Sequence, residues 1–143
     1  MTGRDPGKEE SMVVQSPKLT HFTFGVTDLD LSLDFYSRWF GLVVIYDKRP
    51  RGSRGAWVTT RAQAELSPPD FVFVIYETAE PTRADHFGFQ VETRDELDGL
   101  AEAAKAEGVW IKGPVDIGGP VGSFLTICDP SGHRWEFTWS QPL

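Results

Sequence analysis

The sequence predicts an α+β fold: two tandem βαβββ modules forming a curved open sheet, or trough, with helices outside. Three observations predict it. The pattern HFxFxV occurs at residues 21–26 and again, as HFGFQV, at 86–91. Each copy runs into a helical pattern closed by a glycine, Gly41 in the first and Gly108 in the second. Each then continues into three apolar, β-rich runs separated by Pro- and Gly-rich turns. A four-stranded sheet with one helix on one face leaves its other face open, and two such units side by side make a trough.

In the first module the strand HFTFGV is followed by Asp28, a helix N-cap by type and place. Phe35, Tyr36, Trp39 and Phe40 then form an inward stripe, and the strands LVVIYD, AWVTT and FVFVIYE follow. In the second module Thr93 and Glu96 have capping-box spacing, and Leu97, Leu100, Ala101 and Ala104 share one helical face. The strands VWIK, SFLTICD and HRWEFTW complete it. The positions of the two stop glycines make the first helix two residues the shorter. The glycine-rich segment GPVDIGGPVGS reads as a mobile flap over the trough or as a simple connector. Residues 1–17 are polar and bear Pro and Gly, the composition of a loose tail. Residues 18–143 read as one domain, with modules at about 19–78 and 85–139.

The chain carries a formal charge of −7, which argues against a nucleic-acid binder held by phosphate contacts. A single cysteine, Cys128, excludes an intramolecular disulfide and a Cys-rich zinc site, and reads as an inert core residue. No stretch is apolar enough for a signal peptide or a bilayer span, so a cytoplasmic location is the expectation.

Strand alternation sorts the chemistry. Phe22, Phe24 and Val26 share one face of the first strand, and His21, Thr23 and Gly25 the other. In its twin, Phe87, Phe89 and Val91 oppose His86, Gly88 and Gln90. With the apolar sets against the helices, both histidines face the trough. In the last strand Trp135, Phe137 and Trp139 take the core side, which puts Arg134, Glu136 and Thr138 with the histidines. Two imidazoles and a carboxylate suit one divalent first-row metal ion, whether Fe, Mn, Ni, Zn or Co, with positions left open for water and substrate. His21, His86 and Glu136 are therefore the candidate metal ligands. Thr23, close to His21 on the same face, is a candidate to touch substrate and, with Glu136, to serve catalysis. Arg134 could pair with an anionic group, Gln90 could hydrogen-bond substrate, and Tyr76 could be a proton donor or an aromatic wall. His133 has the opposite parity and reads as structural. Lys48, Arg49, Arg51 and Arg54 concentrate charge that either gathers anionic substrate or forms a solvated loop.

Two segments carry a family resemblance: THFTFGVTDLDLSLDFYSRWFGL and SFLTICDPSGHRWEF, the latter with the spacing Asp-Pro-x-Gly-x-x-x-Glu. The chain resembles the vicinal oxygen chelate superfamily, also called the glyoxalase/bleomycin resistance protein/dioxygenase family, over about residues 19–139. The resemblance implies metal ligands from the first strand of each module and the last strand of the second, which match His21, His86 and Glu136. It implies a homodimer, in several members with ligands from both subunits. Glyoxalase I members take a fourth ligand from the last strand of the first module, where this chain has Val74. Glu77 has the opposite parity, so that activity is disfavoured. The resemblance thus implies a divalent-metal-dependent enzyme acting on a small vicinal-oxygen substrate: a lyase or isomerase, a dioxygenase, or a fosfomycin-type transferase. The alternative is a metal-free, bleomycin-resistance-like binding protein.

Overall fold

Both repeats fold as βαβββ units in a computed structural model that describes residues 19, 21–118 and 121–140. The polar segment 1–17 lies outside the described residues. In the first module β1 (His21–Val26) leads through α1 (Leu29–Phe40) to β2 (Val43–Asp47), β3 (Gly55–Thr59) and β4 (Val72–Glu77). In the second, β5 (Phe87–Gln90) leads through α3 (Arg94–Glu107) to β6 (Trp110–Gly118), β7 (Gly122–Cys128) and β8 (Arg134–Trp139). Between β3 and β4 the chain also forms a four-residue helix α2 (Arg61–Ala64), capped by Thr60, for which the sequence carries no helical period. Each module makes its own open four-stranded sheet, ordered β1-β4-β3-β2 and β5-β8-β7-β6. The first and last strands of each unit run parallel at its centre and edge, while the other pairs are antiparallel.

The helix limits follow from local chemistry. Asp28 accepts from Leu31 N–H and caps α1, and Thr93 accepts from Glu96 N–H and caps α3. The Glu96 carboxylate reaches one residue further back than a capping box requires, to the N–H of Glu92. Gly41 and Gly108 close the two helices in the left-handed region at φ 63° and 78°. The helices have 12 and 14 residues, so the first is the shorter by two.

Apolar faces of both modules meet in one core. Trp135 is fully buried, and its ring lies 5.2 Å from Tyr36, 4.9 Å from Phe40 and 4.7 Å from Phe87. Phe24 of β1 packs edge-on against Trp135 and His133. Leu97, Ala101 and Ala104 bury the inner face of α3. Phe22 departs from its expected place: it is 44% exposed at the strand end and packs edge-to-face on Phe71 and Phe87. The expected flap is a second departure. Residues 113–118 continue β6, and Val115 and Asp116 pair with Phe124 and Ser123 of β7. Register shifts take up the extra length, and Gly113 and Gly118 supply the positive φ values that its kinks require.

Candidate functional site

The face of each sheet turned away from the core carries the polar residues, as alternation requires. On the first module a hollow of about 640 Å³ is lined by His21 and Thr23 of β1, Val72 and Val74 of β4, Trp57 of β3, Ile45 of β2, Lys48, Pro68 and Pro69. On the second, a hollow of about 210 Å³ is lined by Asp85, His86, Arg134, Glu136, Ile111, Lys112, Phe124 and Thr126.

His86 and Glu136 come together. Glu136 pairs in register with Gly88, two residues beyond His86. The Nε2 of His86 stands 3.6 Å from Oε2 of Glu136. Two donors each about 2.1 Å from one ion are at most about 4.2 Å apart, so this pair fits a shared divalent ion. Asp85 adds what adjacency in sequence did not suggest. Its Oδ2 lies 2.6 Å from Nδ1 of His86. A carboxylate accepts, so Asp85 favours a proton on Nδ1, and in the neutral imidazole that tautomer leaves the Nε2 lone pair toward Glu136, the arrangement typical of a metal-ligating imidazole. Gly88 keeps the space beside His86 open: a Cβ there would meet nothing within 4 Å.

His21 and Thr23 line the other hollow, apart from His86 and Glu136. Among the described residues, no group of three His, Cys, Asp or Glu side chains gathers closely enough to hold an ion. The repeat correspondence of the two faces is nevertheless strict. Thr23 pairs with Val74 as Gly88 pairs with Glu136, so Val74 occupies the position in the first module that Glu136 occupies in the second. Glu77 lies elsewhere, accepting from the N–H of Leu29 and from Arg54.

The remaining expectations divide. Arg134 lines the His86 hollow. Tyr76 and Gln90 line neither hollow. An added Cβ on Gly25 would come within 2.5 Å of the Thr78 methyl and 3.1 Å of the Tyr76 ring, so Gly25 leaves its space to those two side chains rather than to a ligand. His133 is structural, buried with Nε2 2.7 Å from the carbonyl of Gly25. Burial, with the Asp129 charge in support, pushes the Cys128 thiol up, away from the reactive thiolate. In the basic segment Arg49 pairs with Asp47 and Asp30, Arg54 with Asp30 and Glu77, and Arg51 lies over the Tyr46 ring. Lys48 alone of the four lines the hollow. Asp85 and Trp57 are the site residues that sequence reasoning missed. The DH dipeptide was the only available signal for Asp85.

Two open βαβββ sheets, each with polar side chains on its free face, define a class of fold, and the comparisons agree with it. Residues 18–137 match the model of the Glyoxalase/Bleomycin resistance protein/Dioxygenase superfamily, and the chain belongs to that superfamily. It is 35% identical over 133 residues to an uncharacterized protein of Pseudomonas aeruginosa, covering 90% of this chain and 92% of that one. It is 26% identical over 128 residues to a probable trivalent organoarsenical cleaving enzyme of Bacillus subtilis, covering 87% and 81%. Among solved structures, its fold is similar to that of a mutant of the fosfomycin resistance protein FosX from Listeria monocytogenes, complexed with Mn(II) and 1S,2S-dihydroxypropylphosphonic acid. That likeness has a TM-score of 0.65 at 21% identity, covering 90% of this chain and 93% of that one. No helix among the described residues is long and apolar enough to cross a membrane.

Proposed function

We propose that the protein is a divalent-metal-dependent enzyme of this superfamily acting on a small molecule with adjacent oxygens, and that it works as a homodimer. The observation that carries the reading is the His86–Glu136 pair, 3.6 Å apart, with His86 held by Asp85. Its repeat-related partner His21 lies on the free face of the other module, so the third ligand joins the pair when the first module of one subunit faces the second module of its mate. A divalent ion held there supplies Lewis-acid polarisation of two vicinal substrate oxygens. The chain's own residues do the rest. Asp85 fixes the imidazole tautomer, and Glu136 adds negative charge beside it. Arg134 lines the same hollow and offers a planar set of donors to an anionic substrate group. The Thr23 hydroxyl, next to His21, can donate to or accept from substrate. Val74, at the position in the first module that corresponds to Glu136, offers no donor to an ion, so a bound metal would have that site open to substrate.

Metal analysis tests this reading. Purified protein loaded with Mn(II) and desalted is expected to retain about one ion per subunit. His86→Ala and Glu136→Gln should each weaken retention at least about tenfold, and His21→Ala should do the same although it lies on the other module. No stoichiometric retention by the wild type would leave the metal-free binding protein as the better reading, and retention unchanged in all three variants would show that the ion is not held by these residues.

A further inference from the structure

We propose that the hollow of the first module seats a flat, apolar molecule bearing an anionic group, and that Lys48 selects for the anion. The inference rests on the reading above only for which end of that molecule reacts.

Charge argues first. The chain carries −7 overall, yet among the described residues no Asp or Glu lines this hollow. Among those residues its one permanently charged lining side chain is that of Lys48, which joins no ion pair with any of them. The neighbouring Arg49 and Arg54 are held by Asp30, Asp47 and Glu77. The acidic residues thus cancel two arginines and leave one lysine at the hollow. An ammonium beside low-dielectric walls favours a ligand that brings a counter-charge.

Shape argues second. Thr23, Val74 and Trp57 stand side by side across β1, β4 and β3, with Tyr46 of β2 next in the row. Trp57 is 37% exposed. Ile45, Val72, Pro68 and Pro69 complete an apolar floor and rim. An exposed indole flanked by branched aliphatics offers a stacking surface for a planar body, and a volume of about 640 Å³ is that of a site for a drug-sized ligand. His21 and Lys48 come from opposite edges of the sheet. The Lys48 side chain reaches back over β3, its Cδ 3.5 Å from where a Cβ on Gly55 would stand, and Gly55 is level with Gly25 of β1 through Tyr76. From His21 that is two strand spacings of about 4.8 Å across and four residues of about 3.3 Å along, so a molecule that touches both ends is longer than a three-carbon phosphonate.

The test uses 2-naphthoate and its neutral counterpart 2-naphthalenemethanol, with binding to chelator-treated, metal-free full-length protein followed by calorimetry at low salt. Naphthoate is expected to bind at least about tenfold more tightly than the alcohol, with the preference shrinking as salt is added. Lys48→Met should abolish the preference, Lys48→Arg should retain it, and Trp57→Ala should weaken both ligands alike. Lys48 is in a surface turn, and unchanged thermal unfolding of its variants would show that they fold. Equal affinity for the two ligands in the wild type, or a preference that survives Lys48→Met, would overturn the proposal. Because the protein is metal-free throughout, a failure to retain Mn(II) would sink the metal reading and leave this result standing.

Discussion

Tyr36 shows how much one side chain does in this fold. Its hydroxyl donates to Asp129, whose other oxygen accepts from the N–H groups of Ser131, at 2.9 Å, and His133, at 2.7 Å. The helix of the first module is thereby fastened to the β7–β8 turn of the second. Ser131 closes the same joint by accepting from Thr27 N–H at 2.8 Å. Burial, with the nearby Asp129 charge, pushes the Tyr36 phenol far above its ordinary value of 10.0. An acid whose folded pKa is raised contributes stability that is complete below the unfolded value and is lost as pH rises past it. Thermal unfolding followed by circular dichroism should therefore show melting temperatures that decline above about pH 10. Tyr36→Phe should flatten that decline and cost about 1–3 kcal/mol at neutral pH, because Asp129 then lacks a buried donor. An equally steep alkaline decline in the variant would show that Tyr36 is not its cause. Sequence periodicity placed Tyr36 on the inward face of its helix, and rightly. It could not name Asp129, which lies 93 residues away, because a period reports a face and not the partner across it. The same limit hid Asp85, which no alternation rule aims at His86.

Elements were legible where one period governed them. The alternation in HFTFGV and RWEFTW put Phe24, Val26, Trp135 and Phe137 in the core, where they are buried, and left Glu136 on the free face. The two helices were legible from their caps and stop glycines. The β6 strand was less so, because its continuation is written in Gly and Pro. Those residues signal a break in a single strand, whereas here a neighbouring strand supplies the pairing and bulges absorb the irregularity. The charge of the turn between β2 and β3 is legible in the sequence, and its partners are not. Asp30, Asp47 and Glu77 all have carboxyls held below their ordinary values, each mainly by an arginine: Arg49 for Asp30 and Asp47, Arg54 for Glu77. Depressed carboxylates stabilise the fold above their unfolded values, and that stabilisation fades as pH falls through the folded ones. Since the ordinary values are 3.8 for Asp and 4.5 for Glu, the loss should begin as pH drops below those values. All three groups are open to solvent, so the effect should be small and weakened by salt. Arg54→Gln should make the melting temperature less sensitive to pH between 5 and 3 at low salt, and 0.5 M salt should erase the difference from wild type.

At the scale of the whole molecule, the shared core and the candidate site pull the modules in different senses. Trp135 meets Phe24, Tyr36 and Phe40 from the first module and Phe87 and Phe89 from the second. The apolar faces are thus committed to each other within one chain, and Trp135→Ala should cost about 3–5 kcal/mol in denaturant unfolding. Under the proposed dimer, the free faces, with His21 on one and His86 and Glu136 on the other, meet when a second chain brings them together. The duplication was visible in the sequence, as were the three ligand candidates. Their distribution was not, because strand parity fixes which way a side chain points and leaves open which sheet it faces. Subunit mixing separates the two possibilities. Suppose each site takes His21 from one chain and His86 with Glu136 from its mate. A dimer of one His21→Ala chain and one His86→Ala chain then holds one site with both lesions and one with neither. Unfolding and refolding an equal mixture makes about half the dimers mixed, so about a quarter of the wild-type Mn(II) sites should reappear, although neither variant alone retains the ion. If each chain instead gathers its own three ligands, every site in the mixture carries one lesion and no retention returns. The fraction recovered therefore reads directly which free faces meet around the ion.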